Sequence, residues 1–328
     1  MLMQLLRAAL VLVASLPLAA AESEWRLAMD RAESARQMGK VQDALRAYEE
    51  AFAASGASGD LRFEQAVARG RRASLLHDLQ RSQQAEKGYR DALALLKVQP
   101  ASEASEKYAV TLTVDLAALY LELEQPSKAV KLGIEKMIPA IENAEGSGRA
   151  YSILGALAFV QRRYPEAEAW WLKALAAEES AQSNESAAVL LSNLGLLSLA
   201  NRNVAASVRY HRRSIEQFTI LYGLEHPRTT KAQANFAQAL LEAGSHEEAL
   251  AYIERAHGIA RQWYGEENVT TAHLCIQHAE SLSRAGRKQE AKVLFQRVRA
   301  LPASIKSALV GTSSVDVLTT AARPRAVR

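Results

Sequence analysis

The sequence predicts an all-α protein in which pairs of helices repeat along the chain and stack into a solenoid. Ala, Leu, Glu, Arg and Gln are abundant and runs of β-branched residues are scarce, which favours helix nearly everywhere. Two segments 42 residues apart echo each other, one beginning at Tyr222-Gly223 and the other at Tyr264-Gly265. A period of this length is typical of a helical array.

Small residues strengthen this prediction, because they recur as triplets whose members are separated by 12 and then 7 positions. Nineteen of the 21 triplet positions hold Ala, Gly or Ser, as two antiparallel helices require where their backbones approach closely. The first members of successive triplets are 41, 44, 38, 40, 42 and 42 residues apart, which indicates about seven similar helix pairs. The triplets are Ala32, Ala44, Ala51; Ala73, Ala85, Ala92; Ala117, Ala129, Lys136; Gly155, Ala167, Ala174; Gly195, Ser207, Ser214; Ala237, Ala249, Ala256; and Ala279, Ala291, Val298.

Local signals place the helix boundaries within a pair. Gly244 is expected to end one first helix, and Ser245 with Glu248 three residues later predicts a capping box that opens the next helix. Pro165 suits the first turn of a helix. One pair cannot bury its apolar face alone, so neighbouring pairs must stack.

Three segments depart from the pattern. The third unit has Gly133 where an aromatic residue is expected and Lys136 where a small residue is expected, so this unit is either irregular or wrongly placed. Residues 99–106, with Pro100 and several Ser and Ala, are expected to be either a loop or a hinge between two halves of the solenoid. Residues 304–328 lack a sustained apolar face and are expected to be a flexible basic tail or a segment that orders on a partner.

From Trp25 to Leu301 the chain resembles the tetratricopeptide family. The resemblance rests on Leu194-Gly195, Phe236-Ala237, Ala249 and an aromatic residue at Tyr48 or Trp171. The last three units, with the 42-residue period and the turn Glu225-His226-Pro227, are similar to the longer repeats of kinesin light chains. The resemblance implies a right-handed solenoid of about seven tetratricopeptide-like helix pairs over residues 22–303, but it does not specify a partner.

The same resemblance implies that the first helices line a concave surface on which polar side chains hold the backbone of a bound segment. Carboxamides can both donate to and accept from a peptide backbone. An alternative is that an Asn before Leu-Gly bonds to a neighbouring helix. The expected partner-binding residues are the row Asn193, Asn235 and Gln277, with Lys231, Gln238, His273 and Glu280 on the same surface.

Catalytic and metal-binding patterns are missing from the sequence. Positions 273 and 275 point about 200° apart on a helix, so His273 does not join Cys275 and His278 in a ligand set. Cys275 is therefore expected to be a small core residue, and we predict no catalytic residue, metal or cofactor. Trp170 and Trp171 project about 100° apart, so one should lie in the core while the other is available to a partner.

The first 21 residues predict a secretory signal peptide. Arg7 precedes an apolar run that extends to Leu18, and Ala19-Ala20-Ala21 leads into the acidic residues that follow, which suits cleavage after Ala21. An uncleaved membrane anchor is the alternative. A periplasmic or secreted location follows, and the single cysteine, Cys275, allows no intramolecular disulfide there. A bacterial periplasm fits best, although Asn184 and Asn268 stand in glycan-acceptor patterns that a eukaryotic secretory route would use.

The charge pattern argues against nucleic-acid binding. The formal charge of +4 arises in the leader and the basic tail, which leaves a nearly neutral body without the basic stripe of a nucleic-acid binder. We therefore expect an exported interaction scaffold that binds a peptide or protein segment, with no small-molecule substrate and no membrane contact unless the leader is retained. The alternatives are a membrane-tethered assembly factor of an envelope complex and a hydrolase with a site spread along the groove.

Overall fold

The computed structural model describes residues 2–56, 61–98, 100–142, 147–180 and 184–311, and every regular element in these ranges is helical. The predicted all-α class is therefore confirmed, and the consecutive pairs form a solenoid. The chain divides into two compact units between Ala150 and Tyr151.

The first unit contains three helix pairs that stack in chain order. Its elements are α1 (Leu2–Gln37) with α2 (Val41–Gly56), α3 (Arg62–Asp78) with α4 (Ser82–Lys97), α5 (Glu103–Glu122) with α6 (Pro126–Lys131), and α7 (Ile138–Glu142). The second helix of one pair packs on the first helix of the next, so α2 contacts α3 and α4 contacts α5. A 3-10 turn over Ile134–Met137 separates α6 from α7.

The second unit contains four pairs and one further helix. They are α8 (Ser147–Val160) with α9 (Tyr164–Ser180), α10 (Asn184–Ala200) with α11 (Val204–Tyr222), α12 (Pro227–Glu242) with α13 (His246–Tyr264), α14 (Val269–Arg284) with α15 (Lys288–Ala300), and α16 (Ala303–Gly311). The division between the units falls inside α8, four residues after it begins. Helices α8 and α9 pack through Trp171, whose Nε1 donates to the Ser152 carbonyl at 3.1 Å. Each first helix from α10 onward contacts the second helix of the pair before it. The seven expected pairs are thus all present among the described residues.

The small-residue triplets mark the helix crossings as predicted. All nineteen Ala, Gly and Ser members of the triplets are buried. The two exceptions to the small-residue rule are also exceptions in burial, because Lys136 is exposed and Val298 is half-buried. The backbones of paired helices therefore approach closely only where the side chain is small.

One turn geometry joins the two helices of every pair. Seven positions spaced like the triplets have positive φ, between 55° and 81°, and they are Gly39, Gln80, Glu124, Arg162, Arg202, Gly244 and Gly286. At Gly244 the amide donates to the Leu241 carbonyl at 3.1 Å, and the next amide donates to the Leu240 carbonyl at 2.9 Å. This pair of bonds is a Schellman motif, and it recurs at the other six turns. The prediction that Gly244 ends a first helix is thus confirmed.

The third pair is irregular, as the sequence predicts. Helix α6 contains 6 residues, whereas α2 and α4 contain 16 each. Gly133, which replaces the aromatic residue of the pattern, adopts a left-handed φ of 69°. Lys136 then lies in the 3-10 turn rather than on a second helix.

One boundary expectation needs correction, and the structure describes parts of two further segments. Ser245 precedes α13 but makes no side-chain capping bond, so the predicted capping box is wrong. Within the candidate hinge at 99–106, Ser102 caps α5 by accepting from the Ser105 amide at 3.2 Å, so most of that segment is an ordered helix start. Residues 304–311 belong to α16, which packs on α14, while residues 312–328 lie outside the described residues.

Helix α1 begins at Leu2 and continues through the expected leader into the first repeat. Its backbone runs without a break past Ala21, the position of the predicted cleavage. Among the helices that the structure describes, none is both long and apolar enough to cross a bilayer.

Candidate functional site

Polar residues line one face of two adjacent first helices in the second unit. On α12, Lys231, Asn235 and Gln238 follow each other at intervals of four and three residues, which places them on one side of the helix. On α14 the corresponding residues are His273, Gln277 and Glu280, each 42 positions further on. Because α12 and α14 contact each other, the sequence-predicted surface residues on these two helices are brought together.

Asn193 and Asn235 serve packing in this structure. Asn193 is 1% exposed, so it lies in the core rather than on an open surface. Asn235 is half-buried, and its Nδ2 donates to Ser192 Oγ on the neighbouring helix α10 at 3.1 Å. The alternative reading, in which such an Asn bonds to an adjacent helix, therefore describes Asn235.

Gln277 lacks the hydrogen-bond partner that Asn235 has, because the residue at the position equivalent to Ser192 carries no hydroxyl group. The residue 42 positions after Ser192 is Ala234, which is 4% exposed. Among the described residues, no group donates to the buried Oε1 of Gln277. Buried polar atoms normally have a hydrogen-bond partner, so this oxygen is an unsatisfied acceptor, and it would have to rotate outward to meet a ligand.

The remaining members of the surface are accessible. Lys231, Gln238 and His273 are half-buried, and Glu280 is exposed. These four residues and Gln277 form a surface that we call the polar face. The face mixes a cation, an anion and neutral amides, which suits recognition of a backbone rather than of one charge.

Matching turns set α12 and α14 in the same register. Gly223 and Gly265 have nearly the same left-handed backbone, with φ of 83° and 81°. The side chain of His226 then caps α12 by accepting from the Arg228 amide at 3.2 Å, and Asn268 caps α14 by accepting from the Thr270 amide at 2.8 Å. The two segments that resemble each other 42 residues apart in sequence therefore also share their backbone geometry.

An aromatic edge lies beside the first of these turns, and sequence reasoning missed it. Tyr222 stacks on the ring of His226 with centroids 4.7 Å apart, and the ring of Trp263 meets His226 edge-on at 6.0 Å. Trp263 remains 58% exposed. Its counterpart 42 positions earlier is Leu221, so the repeat itself does not signal an aromatic residue there.

One of the two adjacent tryptophans lies in the core, as predicted. Trp171 is fully buried, and its Nε1 donates to the Ser152 carbonyl at 3.1 Å. Trp170 is half-buried and stacks on Tyr151 with ring centroids 5.7 Å apart. The indole of Trp170 is therefore partly engaged within its own unit.

Two histidines, His257 and His278, lie close to each other near Cys275, and they do not form a metal site with it. Cys275 is 6% exposed, and burial raises the pKa of its thiol, which makes it a poor nucleophile at neutral pH. Nδ1 of His278 lies 3.2 Å from Nδ1 of His257 on α13, a contact that the sequence analysis did not foresee. Burial lowers the pKa of His257 to about 4, with the neighbouring His278 adding to the shift. No cluster of three or more metal-ligating side chains occurs among the described residues.

Comparison with known protein families bears on the same region. The family model described as "Tetratricopeptide repeat" matches residues 185–257 and 232–303. The chain therefore carries tetratricopeptide repeats over residues 185–303. Its last repeats are similar to those of kinesin light chains, as the 42-residue period predicts.

The curated relatives match only a part of this chain. A clustered mitochondria protein homolog from Coccidioides immitis (strain RS) is 27% identical over 129 residues, which is 39% of this chain and 10% of that protein. The chain thus spans about a tenth of the length of the curated relatives it matches.

Among solved structures, the apo form of RapI aligns with a TM-score of 0.64 at 13% identity, covering 88% of this chain and 99% of that one. A Podosopora anserina putative kinesin light chain with nearly identical TPR-like repeats aligns with a TM-score of 0.52 at 19% identity, covering 61% of this chain and 98% of that one. At these identities the likeness concerns the fold alone. Repeats of this kind generally serve as non-catalytic scaffolds for protein interactions.

Proposed function

We propose that this chain is an exported scaffold whose polar face holds an extended segment of a partner protein by its backbone. The observation that carries this proposal is the alignment of accessible polar groups, because Lys231 and Gln238 on α12 lie at positions equivalent to His273 and Glu280 on α14, and the two helices are in contact. These side chains offer both donors and acceptors to a peptide backbone. Gln238 and Glu280 lie on the neighbouring helices of the same face and add further polar contacts along the segment. The packing of α12 and α14 holds these groups in place before the partner arrives, which lowers the entropic cost of binding.

The curated relatives supply no more specific partner. They share only about a tenth of their length with this chain, so we infer no partner from them. Export rests on the leader pattern in the first 21 residues. A membrane-tethered assembly factor is the alternative favoured if that leader is retained.

Site-specific photocrosslinking tests the binding face. A photoreactive phenylalanine analogue replaces Gln238 or Glu280 in the full chain, and the matched control replaces Arg255, which is exposed on the second helix α13. We expect one discrete adduct from the two polar-face positions in native cells and none from the control. Adducts that form equally from all three positions, or from none, contradict the proposed face.

The fate of the leader is tested separately by mass spectrometry of the native protein. A mature N-terminus near Glu22 supports export with cleavage, and a retained leader in the membrane fraction supports the tethered alternative. A full-length protein in the cytosol contradicts both locations while leaving the face to be judged by crosslinking.

A further inference from the structure

A cleft opens in the first unit where the irregular third pair fails to cover its neighbours. It has a volume of about 390 Å³ and lies between α4, α5 and α6. Helix α6 ends after 6 residues, about 9 Å of helix, whereas the 16 residues of α4 extend for about 24 Å. Gly133 follows α6 with a left-handed φ of 69° and leads into the 3-10 turn over Ile134–Met137, so α6 is shorter than α4 by about 15 Å.

The floor of the cleft is apolar. Leu93 and Leu132, both half-buried, supply its accessible apolar surface, and Leu116 and Tyr120 of α5, each 1% exposed, lie beneath them. A volume near 390 Å³ lies within the usual range for a ligand site and accommodates one or two apolar side chains.

The rim of the cleft is basic. Four exposed cations surround the floor, and they are Arg90, Lys97, Lys128 and Lys131. Glu86 offsets part of this charge, since Arg90 lies 3.0 Å and Lys128 3.9 Å from its Oε1. In the described part of the chain, neither Lys97 nor Lys131 has a carboxylate within 4.0 Å. The rim therefore keeps an excess of positive charge that attracts anions.

Tyr120 joins the floor to the rim. Its hydroxyl donates to Glu86 at 2.9 Å and accepts from Arg90 Nη2 at 2.7 Å. Lys128 Nζ lies 5.3 Å from the centre of the Tyr120 ring. These contacts hold two of the cations in fixed positions, while the ammonium groups of Lys97 and Lys131 remain available.

We propose that this cleft binds an acidic, partly apolar segment of a partner protein, with apolar side chains on the floor and carboxylates at the rim. The spacing of the cations sets the pattern of the segment. Arg90 and Lys97 stand seven residues apart on α4, a rise of about 10 Å, which matches about three residues of an extended chain. Two carboxylates three positions apart with apolar residues between them satisfy both the rim and the floor.

This site is independent of the polar face. Its cations lie on the second helices α4 and α6 of the first unit, whereas the polar face lies on the first helices of the second unit. The basic tail, with Arg323, Arg325 and Arg328, has the wrong charge to fill the cleft. Charge complementarity thus favours an acidic segment of another protein as the occupant.

Fluorescence anisotropy with the full chain tests the proposal. The probe is a fluorescein-labelled peptide with the core Glu-Leu-Phe-Glu, and the comparison peptides have the cores Gln-Leu-Phe-Gln and Glu-Ser-Ser-Glu. We expect the probe to bind at least about tenfold more tightly than either comparison peptide, and its affinity to fall as NaCl rises from about 50 to about 500 mM. Equal binding of the three peptides, or displacement of the probe by inorganic phosphate at equal concentration, overturns the proposal in favour of a simple anion site or no site.

Charge-reversal variants locate the binding. Lys97→Glu combined with Lys131→Glu is expected to weaken probe binding at least about tenfold. The matched control is Lys288→Glu with Lys292→Glu, which changes net charge equally at exposed positions of α15 and should leave binding unchanged. Lys97→Gln with Lys131→Gln keeps the aliphatic stems and serves if the reversal variant loses its helical circular dichroism. Equal affinity of the folded cleft variants and the control overturns the assignment.

Discussion

Gly155 leaves the space that the indole of Trp171 occupies, because a Cβ at this glycine would stand 2.5 Å from Nε1. The two residues are sixteen positions apart, one on α8 and the other on α9. The same spacing links Gly195 to His211, where a Cβ would stand 2.6 Å from the imidazole. In these two helix pairs, a planar ring on the second helix packs against a glycine on the first helix, and this lets the helices approach closely.

Gly155→Ala is expected to lower the free energy of unfolding by about 2 kcal/mol, because the added methyl group collides with a ring that cannot move away. Urea unfolding followed by circular dichroism measures the change. Gly258→Ala is the control, since no atom lies within 4 Å of a Cβ at that helical position, and it should be neutral or stabilising by up to about 1 kcal/mol. Equal effects of the two substitutions contradict the packing argument.

Arg202→Gly is expected to stabilise the protein by about 0.5–1 kcal/mol. Arg202 holds a left-handed φ of 59°, a conformation that costs a residue with a Cβ about 1 kcal/mol and costs glycine little. Arg209→Gly, seven residues later on the exposed side of α11, should instead destabilise by about 1 kcal/mol. Thermal unfolding of both variants compares them, and a loss of stability in Arg202→Gly is the contrary result.

Stability should fall as the pH drops from about 6.5 to about 4. Burial lowers the pKa of His211 to about 4, and burial with the nearby His278 lowers that of His257 to about 4. Since the unfolded chain titrates near 6.5, it binds more protons than the folded chain within this window, so protonation favours unfolding. Each histidine contributes stability that is complete above pH 6.5 and is lost as the pH approaches 4.

His211→Phe tests this pH dependence, because it keeps a planar ring of similar size and removes the titrating group. For His211 alone the shift corresponds to about 3 kcal/mol between pH 7 and pH 4. Urea unfolding at both pH values should therefore show a smaller loss in the variant. An unchanged pH slope means that His211 does not titrate in this window.

A double-mutant cycle on Ser192 and Asn235 should give a coupling of about 1 kcal/mol, as a buried hydrogen bond between α10 and α12 requires. Each single alanine substitution removes the same bond, so the double variant should be less destabilised than the sum. Ala234→Ser places a hydroxyl at the equivalent position for Gln277 and is expected to stabilise the folded state. Simple additivity in the cycle would show that the two side chains act independently.

Sequence patterns predicted the helix pairs because small residues are required wherever two backbones cross. The turn geometry was harder to foresee, because four of the seven left-handed positions are occupied by Gln80, Glu124, Arg162 and Arg202 rather than by glycine. Local hydrogen bonds and helix packing fix the backbone there regardless of side chain. Periodicity placed Gln277 and Asn235 on equivalent sites, but their different roles depend on Ala234 and Ser192 of adjacent helices.

The polar face could be predicted from the sequence, whereas the cleft could not. The spacing of Lys231, Gln238, His273 and Glu280 identified one helix surface from sequence. The cations of the cleft come from two helices that are not consecutive, so their proximity depends on how short α6 is. Tertiary packing, rather than local pattern, brings those charges together.

The shortness of α6 also has a mechanical consequence. Helix pairs in such an array hold one another through nearest-neighbour contacts, and a pair that buries less surface resists less force. Within the first unit the third pair is therefore expected to yield first when the chain is stretched. Single-molecule pulling on the full chain should register that event as an early extension step, ahead of the pairs whose second helices carry Tyr48 and Tyr89 in their cores.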